Sequence, residues 1–184
     1  MKKLLVLAIA LTVSVMAKAQ FSVQAGFLMN TTQTALTTTH YNGVELFADY
    51  NINLGGNFGI APGFGFEYNF TNNYGARYRE VCLMLPIDLN ISFPINNGIN
   101  LAIFAGPTLH YGLLSKDFAT NPAYDYYLND NNRFEMTLGG GIWCDIREAI
   151  RVKIGYKWGV LNNSKIANIN ERTNTLALSV GYIF

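Results

Sequence analysis

Eight segments carry bulky apolar residues at every second position, charges are few, and no long apolar run follows the amino-terminus. Together these predict an all-β chain: an eight-stranded antiparallel up-and-down transmembrane β-barrel. Of 184 residues, 50% are hydrophobic and only 14% charged, against roughly 25% charged in an ordinary soluble domain. A bilayer-crossing helix needs about 20 apolar residues, and no stretch after the amino-terminus supplies them. The apolar content is instead spread along strands with one greasy face each.

Residues 1–19 read as a signal peptide, leaving 20–184 as one barrel domain. Lys2 and Lys3 make the charged start, residues 4–16 an apolar run too short to anchor, and Ala17-Lys18-Ala19 a small-x-small cleavage site. Losing Lys2, Lys3 and Lys18 turns the formal charge of +1 slightly negative. Nothing is basic enough to suggest nucleic acid as a partner.

The first strand, residues 21–29, sets Phe21, Val23, Ala25, Phe27 and Met29 against Ser22, Gln24 and Gly26. A polar stretch, 30–42, reads as a loop. The second strand, 43–52, opposes Val44, Leu46, Ala48 and Tyr50 to Glu45, Phe47, Asp49 and Asn51, and Gly55-Gly56 marks a tight turn. The third, 58–70, places Ile60, Phe64, Phe66, Tyr68 and Phe70 opposite Gly59, Gly63, Gly65 and Glu67. In the fourth, Val81, Leu83, Leu85, Ile87, Leu89 and Ile91 oppose Glu80, Cys82, Met84, Asp88 and Asn90. The fifth sets Leu101, Ile103, Ala105, Leu109 and Tyr111 against Ala102, Gly106, Thr108 and His110, and 113–132 is the longest loop. The sixth, 133–147, opposes Phe134, Met136, Leu138 and Ile142 to Glu135, Thr137 and Asp145. A short link leads to the seventh, where Val152, Ile154, Tyr156 and Trp158 oppose Arg151, Lys153 and Lys157. The last, 173–184, alternates Leu176, Leu178, Val180, Tyr182 and Phe184 with Thr175, Ala177, Ser179 and Gly181.

Connections after odd strands are mostly long and those after even strands short, the asymmetry of outer-membrane barrels. The same alternation would also suit a soluble lipocalin-like secreted carrier. Lipid outside is favoured because the apolar face is uniformly bulky, and eight strands leave little interior room. Aromatics near strand ends, Tyr50, Phe70, Tyr111, Trp158, Tyr182 and Phe184, fit interface girdles. Pro62, Pro86 and Pro107 fall mid-strand, where local bulges are expected.

Leu85-Pro86-Ile87-Asp88-Leu89, Ala105-Gly106-Pro107 and Gly139-Gly140-Gly141-Ile142 resemble the small porin-like (PorT-type) outer-membrane β-barrel proteins of Bacteroidetes. The resemblance implies the bacterial outer membrane as location, with its lipid and the barrel-assembly machinery as partners. Val180, Tyr182 and Phe184, within Val180-Gly181-Tyr182-Ile183-Phe184, look like the terminal signal that machinery reads.

The polar faces gather Glu45, Asp49, Glu67, Glu80, Asp88, Glu135 and Asp145 with Arg147, Arg151, Lys153 and Lys157. Buried charges need partners, so these are expected to form a paired network plugging a closed lumen rather than a channel. No catalytic site, metal site or cofactor is expected. His40 and His110 lack ligand-spaced partners. A lipid-modifying enzyme would need an activated serine, and His110 with Ser115 is the only nearby pair. Cys82 and Cys144 lie on non-adjacent strands with opposite parity, so free thiols are expected. The external loops, Tyr-rich 113–132 above all, could bind an unknown ligand.

Overall fold

The computed structural model describes residues 19–35, 37–71, 77–118 and 121–184, the side chains of residues 19 and 121–124 excepted. Of the expected signal peptide, residues 1–18 lie outside the described residues. The strands are β1 (Ala19–Gln33), β2 (Thr38–Gly55), β3 (Phe58–Thr71), β4 (Tyr78–Asn96) and β5 (Ile99–Asp117). After a short β6 (Asn121–Asp125) and one helical turn, α1 (Tyr126–Asn129), come β7 (Phe134–Ile146), β8 (Ile150–Gly159) and β9 (Arg172–Ile183).

Every long strand runs antiparallel to its two neighbours, β4 pairs with β5, β5 with β7, and β1 with β9. The sheet therefore closes on eight strands, and β6 only extends the end of β5. Closure pairs backbone groups that an open edge would leave bare, which is what a strand in hydrocarbon requires. At the seam, the Phe184 N–H donates to the Phe21 carbonyl at 2.8 Å.

The face assignments hold on all eight strands. Leu89 is 58% exposed and its neighbour Asp88 is 6% exposed. Phe27, Leu46, Ile103, Leu138 and Leu178 likewise point outward, while Gln24, Glu45, Asp145 and Ser179 are buried within. A soluble carrier needs the reverse, with the apolar face around a cavity. An outward apolar belt with a polar interior is the arrangement of a transmembrane barrel. Aromatic contacts gather at both ends of the belt: Phe21 with Phe184 and Tyr182 with Phe184 at one, Tyr156 with Trp158 and Tyr68 with Phe70 toward the other.

The prolines do not produce bulges. The pairing keeps one register from Asp49 opposite Gly63 to Ile52 opposite Ile60, across Pro62. It does so again across Pro86 and Pro107, from Pro86 opposite Thr108 to Leu89 opposite Ala105. Small residues make room beside the rings: a side chain at Gly63 would press on the Pro86 ring, and one at Gly106 on the Ile87 carbonyl. Register shifts occur elsewhere, between Val81 and Cys82, between Asn53 and Gly55, and between Pro94 and Asn96. Gly55 and Gly56 have φ of 122° and 60°, conformations that favour glycine in the β2–β3 turn.

Two expected loops are largely strand. Met29 to Gln33 pairs with Thr38 to Asn42, and Leu114 to Asp117 pairs with Tyr78 to Val81. These strand extensions carry the barrel past its apolar belt at the long-connection end.

Candidate functional site: a filled lumen beneath an external cavity

Three tiers of ion pairs cross the lumen. Nearest the tight turns, Arg151 is 1% exposed and grips Asp145 with two bonds of 2.7 and 2.9 Å. It also reaches Asp49 at 3.3 Å, which accepts from Ser22 at 2.8 Å and from Gln24. In the middle, Lys153 donates to Asp88 at 2.6 Å, and its ammonium lies 4.2 Å from the Phe104 ring centre. Above it, Lys157 bridges Glu45 at 3.2 Å and Glu67 at 3.0 Å. Glu67 also meets His110 Nδ1 at 3.1 Å. The pattern follows from β8 alone: Arg151, Lys153 and Lys157 share one face of a strand whose neighbours and opposing wall carry the carboxylates.

Glu45, Asp49, Glu67, Asp88, Asp145, Arg151, Lys153 and Lys157 are thus brought together. Glu80 and Glu135 point inward as well, but above the three tiers. Glu80 accepts from Asn69 at 2.9 Å and from Tyr127 Oη at 2.5 Å. Arg147 is not part of the network. It stands exposed in the β7–β8 turn with φ 52°, because a turn residue leaves the alternation that would have aimed it inward.

The sequence reading missed the aromatic plug. Trp143 and Phe104 stack inside the barrel with ring centroids 5.4 Å apart, and Phe47 and Met84 are buried beside them. Their parity was the available signal, since all four sit on the polar face of their strands. Cations cap these rings: Arg151 lies 4.5 Å from the Trp143 ring centre. Among the described residues a cavity of about 30 Å³ lies beside Lys153 and Lys157, and one of about 20 Å³ lies above them beside Glu67 and Glu80, each with room for a water at most. A polar pocket of about 280 Å³, edged by Asn51, Asn90 and Asn100, opens at the tight-turn end.

At the long-connection end lies a cavity of about 460 Å³. Tyr41, Tyr78, Tyr127, Glu80, Glu135 and Asn163 line it. Asp125 caps α1 by accepting from the Tyr127 N–H at 3.0 Å, which aims the Tyr127 ring back into the barrel. Gly112 makes room for that ring; a methyl there would overlap it. Tyr127 Oη also meets Cys82 Sγ at 3.2 Å. Cys82 and Cys144 are both free, one inside and one on the outer face. His110 and Ser115 do not form a pair: the imidazole serves Glu67 and Thr137, and Ser115 Oγ bonds Tyr78 Oη at 2.9 Å. Among the described residues no group of three His, Cys, Asp or Glu side chains could hold a metal.

The chain matches, over residues 4–184, the family described as outer membrane protein beta-barrel domain. It belongs to that family. The barrel is a bacterial outer-membrane protein. Among solved structures it is similar to Neisserial surface protein A at 15% identity and TM-score 0.56, covering 89% of this chain and 97% of that one. It is similar to Ail, the attachment invasion locus protein of Yersinia pestis, at 14% and 0.52, covering 91% and 99%. The outer membrane enzyme PagL matches at 9% and 0.52, covering 85% and 97%. At these identities the likeness carries the fold, and the fold is shared by an enzyme, so it leaves catalysis open. No curated protein matches this chain in sequence.

Proposed function

We propose that this barrel is non-catalytic and non-conducting, and that it works through its external end as a surface interaction protein. The single observation that carries the reading is the contrast along the axis: ion pairs and stacked rings fill the middle, while a roomy cavity of mixed polar and tyrosine lining opens at the external rim. Motifs such as Leu85-Pro86-Ile87-Asp88-Leu89 support placing it among the PorT-type barrels. Its insertion would then depend on the barrel-assembly machinery reading Val180, Tyr182 and Phe184.

Lipid modification is the enzymatic alternative. An acid–imidazole–hydroxyl order does exist in the lumen, since Glu67 meets His110 Nδ1 and His110 Nε2 meets Thr137 Oγ1 at 3.2 Å. Thr137 is buried, and the space beside it is about 20 Å³, too small for an acyl substrate. The test has two arms. In planar bilayers the purified barrel gives no discrete conductance steps, and cells expressing it keep their lipid A acylation. Steps in the first arm, or altered acylation that His110→Ala abolishes in the second, would overturn the reading.

A further inference from the structure

We propose that the outer wall of the β4–β5 pair, at the long-connection rim, docks the phosphate-bearing headgroup of an outer-leaflet lipid. The inference goes beyond the external-end reading and shares only its orientation, with the long connections outward.

On β4 the outward positions are apolar from Ile91 to Val81, and the next one is Arg79. At about 3.3 Å per residue and a tilt of about 40°, that stretch climbs about 25 Å, the height of an outer-membrane apolar band. Arg79 therefore stands where hydrocarbon gives way to headgroups. Lys116 on β5 is directly opposite it. Ser115 and Asp117, on either side of Lys116, are buried, so alternation puts Lys116 on the outer wall beside Arg79. The Phe118 N–H donates to the Arg77 carbonyl at 3.0 Å, which carries the ladder one step further and sets the exposed Arg77 on the same face.

Like charges directly opposite each other destabilise a ladder, and the local acids are engaged elsewhere. Asp117 points inward and accepts from the Arg77 backbone N–H at 2.8 Å. Asp125 on β6 also stands opposite Lys116, but its carboxylate caps α1 through the Tyr127 N–H. Among the described residues neither Lys116 nor Arg77 enters an ion pair. Arg79 donates to the Thr71 and Tyr78 carbonyls at 3.0 and 2.6 Å, contacts that fix its guanidinium at the rim and bring no countercharge. Residues 71–76 and 118–124, which flank the two strands, include no charged side chain of either sign. The positive charge of this wall calls for an anion from outside the chain.

Two kinds of surface meet at this point. Phe70 is opposite Arg79 on β3 and its ring lies 5.9 Å from that of Tyr68, while Val81 and Leu114 sit directly beneath the cations. A phosphate accepts charge-assisted bonds from a guanidinium and an ammonium. Acyl chains below it would run down the apolar column from Val81 toward Ile91. A free anion uses only the cations and a neutral lipid only the column, whereas a phosphorylated lipid uses both.

The test is native mass spectrometry of the refolded full barrel in detergent micelles. It is titrated with lipid A bearing two phosphates, with the same lipid stripped of phosphate, and with inorganic phosphate as competitor. The phosphorylated lipid is expected to bind about tenfold or more tightly than the stripped one. Arg79→Gln with Lys116→Gln should remove that difference while heat-modifiability stays unchanged, since both side chains lie outside the apolar belt and the lumen. Arg172→Gln, which deletes a rim cation on β9, should leave binding as it was and so separates this wall from overall charge. Equal binding of the two lipids, full binding by the double variant, or an equal loss in Arg172→Gln each overturns the proposal. Displacement of the lipid by an equal concentration of inorganic phosphate also overturns it, by assigning the wall to a free anion. Such a failure in a folded, non-conducting barrel removes the lipid site alone, whereas conductance steps would remove the external-end reading and leave this one standing.

Discussion

Arg151 shows how one side chain can decide whether the interior is solvable. Its guanidinium is fully enclosed and satisfied by Asp145, Asp49 and the Trp143 face. Arg151→Met keeps about the same volume and removes the charge, leaving two buried carboxylates without their cation. That should lower unfolding stability by about 3–5 kcal/mol, read by urea titration in micelles. Replacing Asp49, Asp145 and Arg151 together by apolar residues should cost much less, because no charge is then stranded. A loss in the triple variant as large as in Arg151→Met would show that shape, not charge pairing, sets the cost. The inward aim of these residues was legible, since a strand fixes side-chain parity. Which carboxylate meets which cation was not, because pairing across the lumen depends on register around the whole closed sheet.

Elements were legible where the apolar alternation runs and blurred where it stops. Strand cores came out correctly, yet residues 30–42 and 113–117 read as loop because their sequence is polar or mixed. Above the belt both faces of a strand meet water or the cavity, so hydrogen bonding continues without any hydrophobic pattern to announce it. The prolines misled for a related reason: small neighbours such as Gly63 and Gly106 leave room for the strands to approach closely, and the register runs on across the rings. The hidden extension has a practical consequence. Replacing residues 118–132 by a short turn removes Tyr127 from Glu80 and Cys82 but keeps Leu114 to Asp117 on β4. That variant should still fold and migrate as a heat-modifiable barrel. A cut starting at residue 113 strips one end of the β4–β5 ladder, the longest pairing in the sheet, and should lower the melting temperature. Identical melting of the two deletions would mean that the extension contributes nothing.

For the molecule as a whole, the interior is a stack whose layers do different things. The hydrogen-bonded cylinder is set by eight closed strands, and the lumen contents determine whether anything passes through it. Phe104 and Trp143 occupy the axis between the Arg151 and Lys157 tiers, and the ladders of β5, β7 and β8 behind them do not depend on their rings. Phe104→Ala with Trp143→Ala should therefore leave a folded barrel, destabilised by about 3–5 kcal/mol for each truncated ring before relaxation. It should also join the external cavity to the polar pocket at the other end. Around the opened axis the described residues set Glu45, Asp49, Glu67, Asp88 and Asp145 against Arg151, Lys153 and Lys157, an excess of negative charge. Small steps of conductance, absent in the unaltered protein and favouring potassium over chloride, are the expected result in planar bilayers. A folded double variant that stays silent would place the barrier in the salt-bridge tiers instead, and charge-reversal at Lys153 would then be the change that opens it.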